Sequence, residues 1–129
     1  MNQLHCDTPH SRQVVQAWVQ DAAGQNGAAA FLGKRSAERY VWPAAIEVLV
    51  DRGRRTERRV YFTGHDVSES GMGLFGRHKL TVGATIFLRY ADEGDACPWV
   101  PARVEHSTRS VGGYRVGIRF LLDDGQPPD

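Results

Sequence analysis

From Ser11 onward, apolar side chains recur at Val15, Trp18, Val19 and Ala22, the spacing of one helical face. Ser11 is placed to cap the first turn and Gly24 to end the last, so a helix is expected over 11–23. A helix of about a dozen residues is marginal alone, so its apolar side must dock, on its own domain in preference to a partner. Beyond a Gly/Ala-rich connector over 24–33, the period changes to two. Ile46, Val48 and Val50 alternate with Glu47 and Leu49, which predicts a half-buried strand ending in a polar hairpin tip over 51–56. An extended pattern resumes over 59–63, followed by a turn-rich stretch over 66–73, a short apolar Leu74-Phe75 and a strand over 85–90. After an acidic loop over 92–98, two clear strands follow. Val100, Ala102 and Val104 mark one, and Tyr114, Val116, Ile118, Phe120 and Leu122 the other, with Gly112-Gly113 supplying the turn between them. About six strands with short connections predict an all-β fold, a closed antiparallel barrel or a sandwich. Closure removes exposed strand edges, which a small domain tolerates poorly.

Length and composition narrow the class. The 129 residues allow one domain: a tail over 1–10 expected to be disordered, the helix and connector over 11–33, the barrel over 34–122 and a polar tail over 123–129. With 41% hydrophobic residues the chain can fill one core, yet no apolar run approaches the roughly 20 residues of a membrane-spanning helix. The N-terminus MNQLHCDTPH has neither early basic residues nor an apolar centre, so no export signal is read and a cytoplasmic location is expected. Cys6 and Cys97 form no CxxC pair and are expected to be free thiols. Charge is balanced, 16 Lys plus Arg against 15 Asp plus Glu, so a nucleic acid polymer gripped through its phosphates is not an expected partner.

Catalytic signatures are sparse. The five histidines make no HExxH or close-spaced metal set, no Ser sits in a GxSxG elbow, and GMGLFG over 71–76 opens no helix. His65 beside Asp66 resembles a base with its orienter, but neighbouring residues of a strand point to opposite faces. A non-enzymatic protein without cofactor is expected. Arg52, Arg54, Arg55, Arg58 and Arg59 crowd one hairpin, either as a solvated tip that discourages edge pairing or as a patch for an anionic partner.

Two short motifs carry more information together than apart. Arg35-Ser36-Ala37-Glu38-Arg39 is RxxxR just before the first strand, and Asp66-Val67-Ser68-Glu69-Ser70-Gly71 is DxSxxG after the first hairpin. Singly, each has an ordinary explanation: arginines paired with surface carboxylates, and an Asp and a Ser capping a turn. In this order, ahead of a β-rich remainder, the chain resembles the PilZ domain family, whose members bind cyclic di-GMP. The resemblance spans about 34–122 and includes Gly71-Met72-Gly73-Leu74 and the closing Val116-Gly117-Ile118-Arg119-Phe120.

The resemblance implies a six-stranded antiparallel barrel and cyclic di-GMP as the ligand; residues 1–33 fall outside it, and the Gly/Ala composition of the stretch over 24–39, which buries little, predicts a flexible arm between the N-terminal helix and the barrel. It assigns Arg35 and Arg39 to RxxxR, and Asp66, Ser68 and Gly71 to DxSxxG. It also places Lys34 where the family residue bears on whether one ligand or a stacked pair is bound. The chemistry is consistent: an Arg fork donates two parallel hydrogen bonds to guanine O6 and N7 or to phosphate, and a carboxylate accepts from guanine N1 and N2. Gly71 would let backbone come close or take a positive φ. The expected role is a receptor whose N-terminal arm changes pose on binding, re-posing the helix that bears Trp18, to signal to a protein partner; the alternative is an adaptor of the same fold that binds no nucleotide.

Overall fold

The computed structural model describes residues 8–26 and 39–122, with side chains in the helix described from 11 to 25. Residues 27–38 of the expected connector and arm, Lys34 and Arg35 among them, and residues 1–7 and 123–129 of the two tails lie outside these residues, whereas 8–10, expected to belong to a disordered tail, form the first turn of a helix. Helix α1 (Thr8–Asn26) precedes strands β1 (Tyr40–Val41), β2 (Ala45–Val50), β3 (Arg58–Val67), β4 (Gly71–Gly76), β5 (Thr85–Tyr90), β6 (Val100–Ser110) and β7 (Gly113–Phe120). All pairings are antiparallel, in the order β1-β3-β2-β5-β6-β7-β4, and β4 returns to pair with β3. Six strands thus close into a barrel, and β1 extends the β2 side of β3 through Tyr40 opposite Val67 and Val41 opposite Asp66.

Alternating residues fill the interior. Ile46 and Val48, Val60 and Phe62, Leu74, Ile86 and Leu88, Val100, Ala102 and Val104, and Val116, Ile118 and Phe120 form one core. The helix belongs to it. Val15, Trp18 and Ala22 are buried, with the Trp18 ring 5.7 Å from Trp42 and 6.0 Å from Phe120. Arg12 Nη2 donates to the Leu122 carbonyl at 2.8 Å, and Trp42 Nε1 donates to Asp21 Oδ2 at 2.8 Å. The helix is longer than its pattern predicts. Ser11 lies inside it, buried, and its hydroxyl has no partner among the described residues, so it is not the cap. Gly24 is passed without a break; a glycine in a helix interior costs about 1 kcal/mol against Ala, which the docked face outweighs.

Strand β2 also departs from the half-buried expectation, since Glu47 and Leu49 on its outer side are buried too. The acidic stretch expected as a loop forms a 3₁₀ helix, Ala91–Ala96, and the chain then runs on through Trp99 over this face. Arg89 Nε donates to Glu47 at 2.8 Å, its Nη1 meets Asp95 at 3.2 Å, and its guanidinium stacks 4.2 Å from the Trp99 ring centroid. Burial acts to lower the Arg89 pKa, but the hydrogen bonds and charges of Glu47 and Asp95 together prevail and hold it above the ordinary value. Cys97 is a buried free thiol, pushed above the ordinary range chiefly by burial.

Two β-bulges break the alternation, one on β3 between Gly64 and Asp66 and one on β6 between Val104 and His106. Val60, Phe62 and Gly64 point inward, so strict alternation would turn Asp66 inward as well. The extra residue His65 reverses the parity, and Asp66 faces outward opposite Gly73. On β6, Ala102 and Val104 point inward; the extra residue Glu105 turns His106 outward opposite Gly117 and leaves Ser107 opposite the buried Val116.

Candidate functional site

The bulges border one cleft of about 830 Å³ on the outer face of β3, β4, β7 and β6. Its floor follows a single row across the sheet, Asp66–Gly73–Gly117–His106, in which the two middle positions carry no side chain. Arg39 and Asp66 stand at one rim, His106 at the other, and Arg115 and Arg119 rise from β7 on either side of Gly117.

Asp66 is 7% exposed. Its Oδ1 accepts the Gly73 amide at 2.9 Å, and Arg39 Nη1 lies 3.4 Å from both carboxylate oxygens, donating to Oδ2. The carboxylate is thereby fixed to β4, and a long, partly exposed pair leaves further donors of the Arg39 fork for an incoming acceptor. Two elements produce this meeting. Arg39 immediately precedes β1, and β1 pairs with the end of β3 through Tyr40 opposite Val67 and Val41 opposite Asp66, so the end of RxxxR is carried beside the start of DxSxxG.

Ser68 has another place. It is fully buried and is not among the cleft's lining residues. Its Oγ accepts the amides of Ser70 and Gly71, each at 3.2 Å, and its own amide donates to the Gly71 carbonyl at 2.9 Å. The hydroxyl therefore closes the tight turn between β3 and β4. That turn comprises only 68–70, shorter than the expected turn-rich stretch, because β3 runs through Val67 and β4 begins at Gly71. Gly71 lines the cleft and lacks a positive φ; its requirement is the close approach of β7, where a Cβ would collide with the Ile118 carbonyl.

Of the residues singled out from sequence, Arg39, Asp66 and Gly71 are therefore gathered at one cleft, Ser68 lies under the adjacent turn, and Lys34 and Arg35 are outside the described residues. The expectation that His65 and Asp66 face opposite ways is corrected, since the bulge lets both line the cleft. His106, Arg115 and Arg119 were not singled out. Arg115, Gly117 and Arg119 alternate with the buried Val116 and Ile118, which puts both arginines on the outer side of β7, but the strands that complete the cleft are distant in sequence and cannot be read from that alternation. The arginines of the β2–β3 hairpin do not line the cleft. Arg59 pairs with Glu47 at 3.5 Å and lies over Trp99, and Arg52 stacks on Phe87 at 4.6 Å.

The chain is thus a closed barrel with a packed interior whose cleft, of mixed Arg and Asp character, lies on the outer wall. The chain belongs to the PilZ domain family, whose model matches residues 33–127. Comparison with curated protein sequences returns no match. Among solved structures, it is similar to the PilZ domain of YcgR from Escherichia coli with c-di-GMP, at 16% identity and a TM-score of 0.50, covering 71% of this chain and 81% of that one. YcgR from Escherichia coli in complex with c-di-GMP matches at 20% identity and a TM-score of 0.50, over 68% of this chain and 38% of that one. The K. pneumonia MrkH–c-di-GMP complex matches at 19% identity and a TM-score of 0.49, over 72% of this chain and 48% of that one. The chain thus spans less than half of the MrkH and YcgR chains of those two complexes, and at these identities the likeness is one of fold. No helix among the described residues is long and apolar enough to cross a membrane.

Proposed function

We propose that this domain is a receptor for cyclic di-GMP and that the cleft beside Arg39 and Asp66 is where it binds. One observation carries the reading: the 3.4 Å approach of Arg39 to Asp66, which brings the end of one family motif against the start of the other inside a single cleft. Family membership, and neighbours of the same fold solved with this ligand, support it. Asp66 accepts from guanine N1 and N2, Arg39 donates to guanine or phosphate acceptors, and Arg35 does the same from the segment ahead of β1. Lys34, beside Arg35, adds a cation toward the phosphates. Ser68 and Gly71 shape the turn that holds Asp66 in place.

Signalling is part of the proposal. The segment carrying Lys34 and Arg35 joins α1 to β1, and ligand contacts change its pose, presenting a different surface to a protein partner. Re-posing α1 itself, as expected from sequence, would expose Trp18, Val15 and Ala22, so the proposed change of pose is confined to that segment and leaves the helix docked. Isothermal titration with cyclic di-GMP tests the ligand directly. Arg39→Ala is expected to weaken binding at least about tenfold, the loss of one bidentate contact, while leaving the thermal melt nearly unchanged. Equal affinity in a folded Arg39→Ala protein removes the assignment. A wild-type protein that gives no binding points to the nucleotide-free adaptor.

A further inference from the structure

We infer that His106 is a second ligand-contacting residue, offering its imidazole as a stacking surface for a guanine base at the end of the cleft opposite Asp66; this rests on the cyclic di-GMP reading above. Three features of the fold converge on it. The bulge at Glu105 alone turns His106 outward, the same device that presents Asp66 on β3. Second, the imidazole is folded over Gly117: a Cβ there would meet its Nε2, and its Cδ2 and Cε1 at 2.7 Å. The ring thus lies on bare backbone within the cleft, held where a base plane can reach it.

The third feature is chemical arrangement. Asp66 and His106 occupy the two ends of one cross-strand row, three strand spacings or about 14 Å apart. Asp66 reads the hydrogen-bonding edge of a base, and an imidazole takes its face, so the two ends suit two bases approached differently. Arg115 and Arg119, flanking Gly117 on β7, place guanidinium groups between those ends, suited to the phosphates of a cyclic dinucleotide that spans them.

The test is titration of the full chain with cyclic di-GMP. Stacking of one base is worth a loss of about tenfold in affinity on truncation, so His106→Ala is expected to bind about tenfold more weakly, and His106→Phe to recover most of that loss. Gly117→Ala pushes the ring off its seat and is expected to weaken binding similarly while the barrel stays folded by circular dichroism. In the wild-type protein, the His106 ring protons are expected to shift upfield in NMR spectra on saturation; a residue acting only through the fold would not show this. Affinity unchanged in His106→Ala, while Arg39→Ala has lost binding, overturns the inference alone. No binding by the wild-type protein overturns the functional reading, and the inference falls with it.

Discussion

Asp66 is held by a backbone amide and by a guanidinium, and that explains why its neighbours matter. One oxygen accepts the Gly73 amide, which fixes the carboxylate so that both of its oxygens lie 3.4 Å from Arg39 Nη1. Ser68, two residues on, holds the turn through a hydroxyl that accepts two amides in a fully buried position. Ser68→Ala strips both amides of their acceptor and is expected to cost about 1–2 kcal/mol of stability, read as a lower denaturation midpoint in urea. Arg39→Ala leaves that midpoint nearly where it was. The contrast separates a residue that shapes the cleft from one that, on the proposed reading, meets the ligand. Both belong to short motifs that the sequence displays openly, but which of them faces the cleft was not legible there, because a motif specifies spacing and not burial.

At the level of elements, the apolar face of α1 was readable from its spacing, and its docking on the barrel follows from burying Trp18 together with Val15 and Ala22 on that face. Its ends were not readable: the cap expected at Ser11 is an interior position, and tertiary burial carries the helix past Gly24. Trp18, packed between Trp42 and Phe120, is the centre of this contact. Trp18→Ala is expected to destabilise the protein by about 3–5 kcal/mol in chemical denaturation, and an intact midpoint would mean that the helix is an appendage. The strands show the same mixture. Alternation gave the inward residues of β6 and β7, yet a bulge adds a residue without any mark in composition, so the outward turn of His106 and Asp66 emerges only from the pairing. The buried outer side of β2 was likewise hidden, since it depends on Trp99 and Arg89 arriving from elsewhere in the chain.

For the molecule as a whole, closure by the β3–β4 pairing makes the barrel one cooperative unit to which helix, core and cleft all belong. A ligand that binds only the folded state then adds to global stability. At a free concentration of about 100 times its Kd, cyclic di-GMP is expected to contribute about 2.7 kcal/mol, a rise in Tm of roughly 10 °C for a domain of this size. The same concentration is expected to move Arg39→Ala by much less, and scanning fluorimetry reads both. Overall architecture was the most legible level, because six alternating segments with short connections have few ways to bury their apolar sides. The cleft was least legible, assembled as it is from four strands that are distant in sequence. Its position on the outside of the wall has an evolutionary corollary. Substitutions at Arg39, His106, Arg115 or Arg119 leave the interior untouched, so selection can retune or discard ligand recognition in descendants of this chain without endangering their capacity to fold.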